Sequence, residues 1–265
     1  FSSTNACAGT DIAPDSSTNG LTCRQKYQHG LDPWIGNNDD DGLDDYAEVY
    51  EHGTDPRKAD SDGGGAPDDW ELSSGLDPLD RMDELSDGDD DGVPALYEHV
   101  YGTCPTNSAS CPEPTVTVTN GAQSLRSAIS NAVAQCTNGY PIVRILPGEY
   151  SGSGNRNLTL DAGPILIYAA SPQGTNRVVI DCESMGRAFD LTAGSAVLSG
   201  LTIHHGGGVT NGAAIRIAEG VDRVRLDSLA IESCDAEDDG CGGGFWIAAP
   251  HDPESVVLDT CVIHC

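Results

Sequence analysis

Apolar residues alternate along the C-terminal half of this 265-residue chain, and the alternation recurs. Phe189 and Leu191 correspond to Ile215 and Ile217, then to Phe245 and Ile247. Leu198, Leu201 and Ile203 correspond to Leu226, Leu229 and Ile231, then to Leu258, Cys261 and Ile263. The offsets are 26 to 28 and then 30 to 32 residues. A period of two turns one face of each strand inward, and the recurrence predicts strands stacked coil upon coil. A β-sandwich is the competing arrangement of such strands. Ahead of them, Leu125, Ala128, Ile129, Ala132, Val133 and Cys136 are spaced as one face of a helix over 122–136.

The N-terminal half follows another rule. Apolar residues are sparse, and a short motif recurs at Gly30–Pro33, Gly53–Pro56, Gly75–Pro78 and Gly102–Pro105, at intervals of 23, 22 and 27 residues. A repeat this short buries no core alone, so neighbours must stack or another agent must hold it. Residues 31–100 contain 23 of the 42 acidic residues against Arg57, Lys58 and Arg81, a net of −20. The proline-flanked stretch Cys111–Pro114 reads as a linker. The expected organisation is an N-terminal segment over 1–29, a repeat region over 30–112 and a β domain over 113–265.

Between the motifs lie three twelve-residue acidic loops. A hard cation takes six to eight oxygens, which alternate positions of a turning loop bring to one point. The first loop offers Asn37, Asp39 and Asp41 at positions one, three and five, the Leu43 carbonyl at seven, Asp45 at nine and Glu48 at twelve. The third offers Asp87, Asp89, Asp91, the Val93 carbonyl and Glu98, with Ala95 at nine. The second offers Asp60, Asp62, the Ala66 carbonyl, Asp68 and Glu71, but Gly64 stands at position five, so this loop must bind more weakly or borrow a ligand such as Asp55. Gly42, Gly65 and Gly92 occupy the sharp turn at position six. Three loops in phase predict about three Ca2+ sites rather than a disordered acidic tract.

The Gly-x-Asp-Pro motif followed by alternating acids, a glycine and a closing acid resembles thrombospondin type 3 repeats, over about residues 30–105. That resemblance implies a calcium-rigidified spacer with short helices rather than a catalyst. Val143–Tyr150 and the helix before it are similar to the pectin-lyase-like superfamily over about residues 115–265, and Cys234 followed by Gly242–Trp246 resembles coils of bacterial surface β-helix proteins. This likeness implies a mostly β protein whose second domain is a right-handed parallel β-helix with an N-terminal capping helix.

A formal charge of −29 excludes a reader of nucleic-acid phosphates, and no apolar run is long enough for a membrane span. Ten cysteines point to an extracellular or cell-surface protein with disulfides. Local pairings are Cys7 with Cys23, Cys104 with Cys111, Cys136 with Cys182 and Cys234 with Cys241, leaving Cys261 and Cys265; sequence leaves the connectivity open. Lyases of β-helix architecture use a Lys or Arg base, yet residues 115–265 contain no Lys and their eight Arg residues show no shared site. Asp227 and Asp259, at equivalent places in adjacent coils, are the candidates for a polysaccharide lyase or glycosidase. Tyr150 and Trp246 are the candidates for glycan binding. The expected function is structural or adhesive, with calcium, further copies of the chain and surface glycans as partners.

Overall fold

The structure, a computed structural model, describes residues 20–137, 139–161, 163–170, 177–236, 243–248 and 255–264. Contacts between residues divide the chain into two units, one up to Glu84 and one from Leu85 onward. The third acidic loop therefore groups with the β domain.

In the first unit, helix α1 (Cys23–His29) opens with a capping box in which Thr22 and Gln25 satisfy each other's backbone N–H groups. A short helix α2 (Asp45–Ala47) runs into a π-helical turn, Glu48–His52. Helix α3 (Asp68–Ser74) follows the second loop, and a 3-10 turn spans Asp83–Leu85. Helix α1, the π-helical turn and α3 end on Gly30, Gly53 and Gly75, each left-handed. Lys26 and Asp45 form a fully buried ion pair at 3.0 Å that fixes α1 to the first loop.

The second unit begins with the third loop and helix α4 (Ala95–Tyr101), followed by β1 (Val116–Val118) and α5 (Leu125–Gln135). Among the described residues, fourteen further strands join β1 in three parallel sheets. The first contains β1, β2 (Ile142–Ile145), β5 (Ile165–Ala169), β8 (Gly194–Ser199), β11 (Val221–Asp227) and β14 (Val256–Asp259). The second contains β4 (Leu158–Leu160), β7 (Phe189–Leu191), β10 (Ile215–Ile217) and β13 (Phe245–Ile247). The third contains β3 (Gly148–Tyr150), β6 (Val178–Asp181), β9 (Leu201–His204), β12 (Ala230–Glu232) and β15 (Val262–His264). This is a parallel β-solenoid of about five turns in a mostly β chain.

The alternation sets the register directly. Phe189 lies opposite Ile215, and Ile215 opposite Phe245. Leu198, Leu226 and Leu258 form one stack, and Ile203, Ile231 and Ile263 another. Inward residues of successive coils share one core, where burying a Leu, Ile or Phe side chain is worth roughly 1.5–3 kcal/mol. Leu125, Ala128, Ile129 and Ala132 of α5 join that core and cover its first coil. Val133, expected on the same face, is instead exposed at the helix surface. Leu258 and Ile263 are about half exposed, unlike their buried counterparts Leu226 and Ile231.

Among the described cysteines, Cys104, Cys111, Cys136, Cys182 and Cys261 are free thiols, so the Cys104–Cys111 and Cys136–Cys182 pairings are not formed. Cys136 ends α5 near the Tyr101 hydroxyl, whereas Cys182 is enclosed in the solenoid core. The other expected pairings each involve Cys7, Cys241 or Cys265, outside the described residues. No helix among the described residues is long and apolar enough to cross a membrane.

Candidate metal centres

The three acidic loops share one backbone path. In each, the N–H at position nine closes the loop onto the carbonyl just before position one: Asp45 to Gly36, Asp68 to Ala59 and Ala95 to Ser86, at 2.9–3.0 Å. Position six is left-handed at Gly42, Gly65 and Gly92, as the turn requires. Position four is left-handed as well, at Asp40, Gly63 and Asp90. Asp tolerates that conformation better than most side chains, which is a reason for the acid there beyond charge.

In the first loop the carboxylates of Asp39, Asp41 and Glu48 converge, with oxygens within 4.8 Å of one another. Asn37 Oδ1 accepts from the Asp39 and Asp40 N–H groups, and Asp41 Oδ1 accepts from the Leu43 N–H at 2.8 Å. Both oxygens of Asp39, Asp41 Oδ2 and Glu48 Oε2 are buried without a hydrogen-bond partner. Glu48 is fully buried on the π-helical turn, a distortion that often marks functional sites. Burial, then repulsion from Asp39 and Asp41, pushes its carboxyl up to about 8. Asp45 takes another role. It accepts from the Asn38 N–H and side chain and pairs with Lys26.

The second loop brings Asp62 and Glu71 together with Glu84, which the loop pattern does not contain. Asp60 is occupied by the N–H groups of Gly63, Gly64 and Gly65. Asp68 accepts from the Ser61 N–H and hydroxyl, the counterpart of Asp45 with Asn38. Glu71 is fully buried with neither oxygen hydrogen-bonded. Burial first, and then Glu84 and Asp62, push its carboxyl up to about 9. Asp55 forms a two-pronged ion pair with Arg57 at 3.0 and 3.1 Å, which holds its carboxyl below the usual range.

In the third loop Asp87, Asp89 and Asp91 converge. Asp87 accepts from the Gly92 N–H at 2.7 Å and Asp91 from the Val93 N–H at 2.8 Å. Glu98 is fully buried, with no hydrogen bond to either oxygen, and burial followed by Asp91 and Asp89 pushes it up to about 8. Ala66 and Val93, whose carbonyls stand at position seven, are fully buried; Leu43 is half-buried.

Carboxylates gathered out of water without donors must protonate or take a cation. The set is all oxygen, it carries several negative charges, and it sits on loops with alternating ligands. That chemistry suits Ca2+ over soft or nitrogen-loving metals. The residues present therefore fit the ion.

The other candidates are placed differently. Asp227 lies opposite Asp259 in register, but the two have separate partners. Asp227 accepts from Ser228, Thr260 and Ser199, while Arg225 pairs with Asp259 at 2.7 Å. Tyr150 is buried, its hydroxyl donating to the Leu146 carbonyl, and so presents no sugar-stacking face. Trp246 lies half-buried beside Arg216 in register. A cleft of about 520 Å³ opens instead between the third loop and the first sheet. Its floor is a row of stacked residues on successive strands, Arg144, Tyr168, Ser199 and Asp227. Arg144 Nε is buried there with no hydrogen-bond partner.

Comparison of the chain with protein-family models, with curated proteins and with solved structures found no match.

Proposed function

We propose that this is an extracellular, calcium-stabilised structural or adhesive surface protein. In this reading residues 30–105 form a spacer of the thrombospondin type 3 kind, and the solenoid presents a surface to partners. One observation carries it: the acids at position twelve, Glu48, Glu71 and Glu98, are all fully buried with oxygens that lack a partner. A positive ion in each loop supplies what those oxygens are missing. Extracellular calcium matches modules whose sites bind at about 10⁻⁴ to 10⁻³ M. The separate partners of Asp227 and Asp259 favour a structural role over glycoside hydrolysis, where two carboxyls must act on one bond. Adhesion is favoured over a head-to-tail array because α5 occupies the solenoid end such an array would need. Calorimetric titration of the full chain tests the reading. Uptake of about three Ca2+ ions is expected, and no uptake at millimolar calcium sinks it.

The cleft favours glycan binding as a second reading. Its floor repeats at about 4.8 Å, the strand spacing, and offers a donor, an aromatic hydroxyl, a hydroxyl and a carboxylate in a row. Binding of an oligosaccharide that is lost in Arg144→Ala would support it; equal binding by that variant would remove it.

A further inference from the structure

We infer that the second cation site is shared between repeats, with Glu84 as the ligand that replaces the missing acid of Gly64. The inference rests on the calcium reading above and concerns how that one site is built. A glycine at position five offers no side-chain oxygen. In its place, Glu84 reaches back from the Asp83–Leu85 turn: a Cβ added to Gly64 would lie 1.7 Å from Glu84 Oε1 and 2.2 Å from Oε2. An aspartate at position 64 and the present position of Glu84 thus exclude each other. The backbone of Gly64 is not left-handed, so space rather than conformation is the reason for glycine here.

The cluster is aimed at a ligand. Asp62, Glu71 and Glu84 present oxygens within 4.8 Å of one another, and Asp62 Oδ2 and both oxygens of Glu71 are buried without partners. The neighbours that act most strongly on Glu71 are Glu84, Asp62, Asp68 and Asp83, all carboxylates. The class of ligand that relieves this is a hard divalent cation. Such an ion binds residues 60–71 to the turn at 83–85, so the second site staples its own loop to the chain that leads into the third. The first loop has a related approach, since a Cβ at Gly42 would lie 2.4 Å from Asp69 Oδ2.

The decisive comparison is Gly64→Asp against Glu84→Gln and the double variant Gly64→Asp with Glu84→Ala, each titrated with Ca2+ as the full chain. Terbium luminescence excited through Trp70, which adjoins Glu71, reports the second site in a Trp34→Phe background. A shared site predicts that E84Q loses one ion and the Trp70-sensitised signal. It predicts that G64D, which restores the motif acid, also loses them, and that the double variant recovers both. Tighter binding in G64D, or an unchanged ion count in E84Q, overturns the shared site while leaving calcium binding in general intact. Absence of ion uptake by the unaltered chain would instead remove the calcium reading beneath it. Asp55→Asn, at the Arg57-paired acid, is expected to keep the full count.

Discussion

The acidic repeats and the solenoid are both built from short recurring units, yet they solve the problem of an interior in opposite ways. The solenoid stacks apolar side chains and closes each strand onto the next through backbone hydrogen bonds, so that every coil completes its neighbour. The repeats gather carboxylates instead. Their buried oxygens repel one another and have few donors. One interior is complete in the polypeptide; under the calcium reading proposed above, the other is complete only with ions. Stability of the two regions should therefore depend on different variables.

Chelation should separate them most strongly. With calcium removed, residues 37–98 are expected to lose protection from proteolysis while the solenoid strands keep theirs. Hydrogen exchange along the chain measures both at once, and equal protection with and without chelator would break the contrast. Within the first unit, Lys26→Ala should cost about 3–5 kcal/mol, because it leaves Asp45 buried and unpaired. Denaturant unfolding in saturating calcium measures this. In the solenoid, Leu226→Ala should cost about 2–5 kcal/mol through the cavity it leaves between coils, and that cost should be the same with and without calcium.

The pH dependence sharpens the same contrast. Glu48 and Glu98 are pushed up to about 8 and Glu71 to about 9, from an ordinary value of 4.5. Without metal, the folded repeats hold protons that the unfolded chain releases. Their stability should thus be greatest below about pH 4.5 and fall as pH rises to 8–9. Melting of the chelated protein is expected at higher temperature at pH 5 than at pH 8. In calcium the trend reverses, since the ion must displace those protons and binds better as pH rises. The smallest effect is expected at the solenoid's helix: Ser124→Ala removes the α5 cap to the Ser127 N–H and should cost about 1 kcal/mol, unaffected by calcium.

Some of this was readable along the chain because it depends on local spacing. Alternation and recurrence placed Phe189, Ile215 and Phe245 in one row, and the register of β7, β10 and β13 agrees residue by residue. Loop glycines marked the turns for the same reason, since a left-handed residue is a property of its own backbone. Other features depended on groups far apart in sequence. Glu84 comes twenty positions after Gly64, and Asp45 is claimed by Lys26 from the preceding helix. Tyr150 reads as a glycan-binding candidate until the coil closes around it.

Local periodicity thus decided which segments coil, which turn and where acids cluster, because strand alternation and loop conformation are set within a few residues. The partner of each buried charge was decided by folding alone. Coulomb attraction and desolvation act between whatever groups packing brings within a few ångströms, and one-dimensional spacing carries no record of those distances.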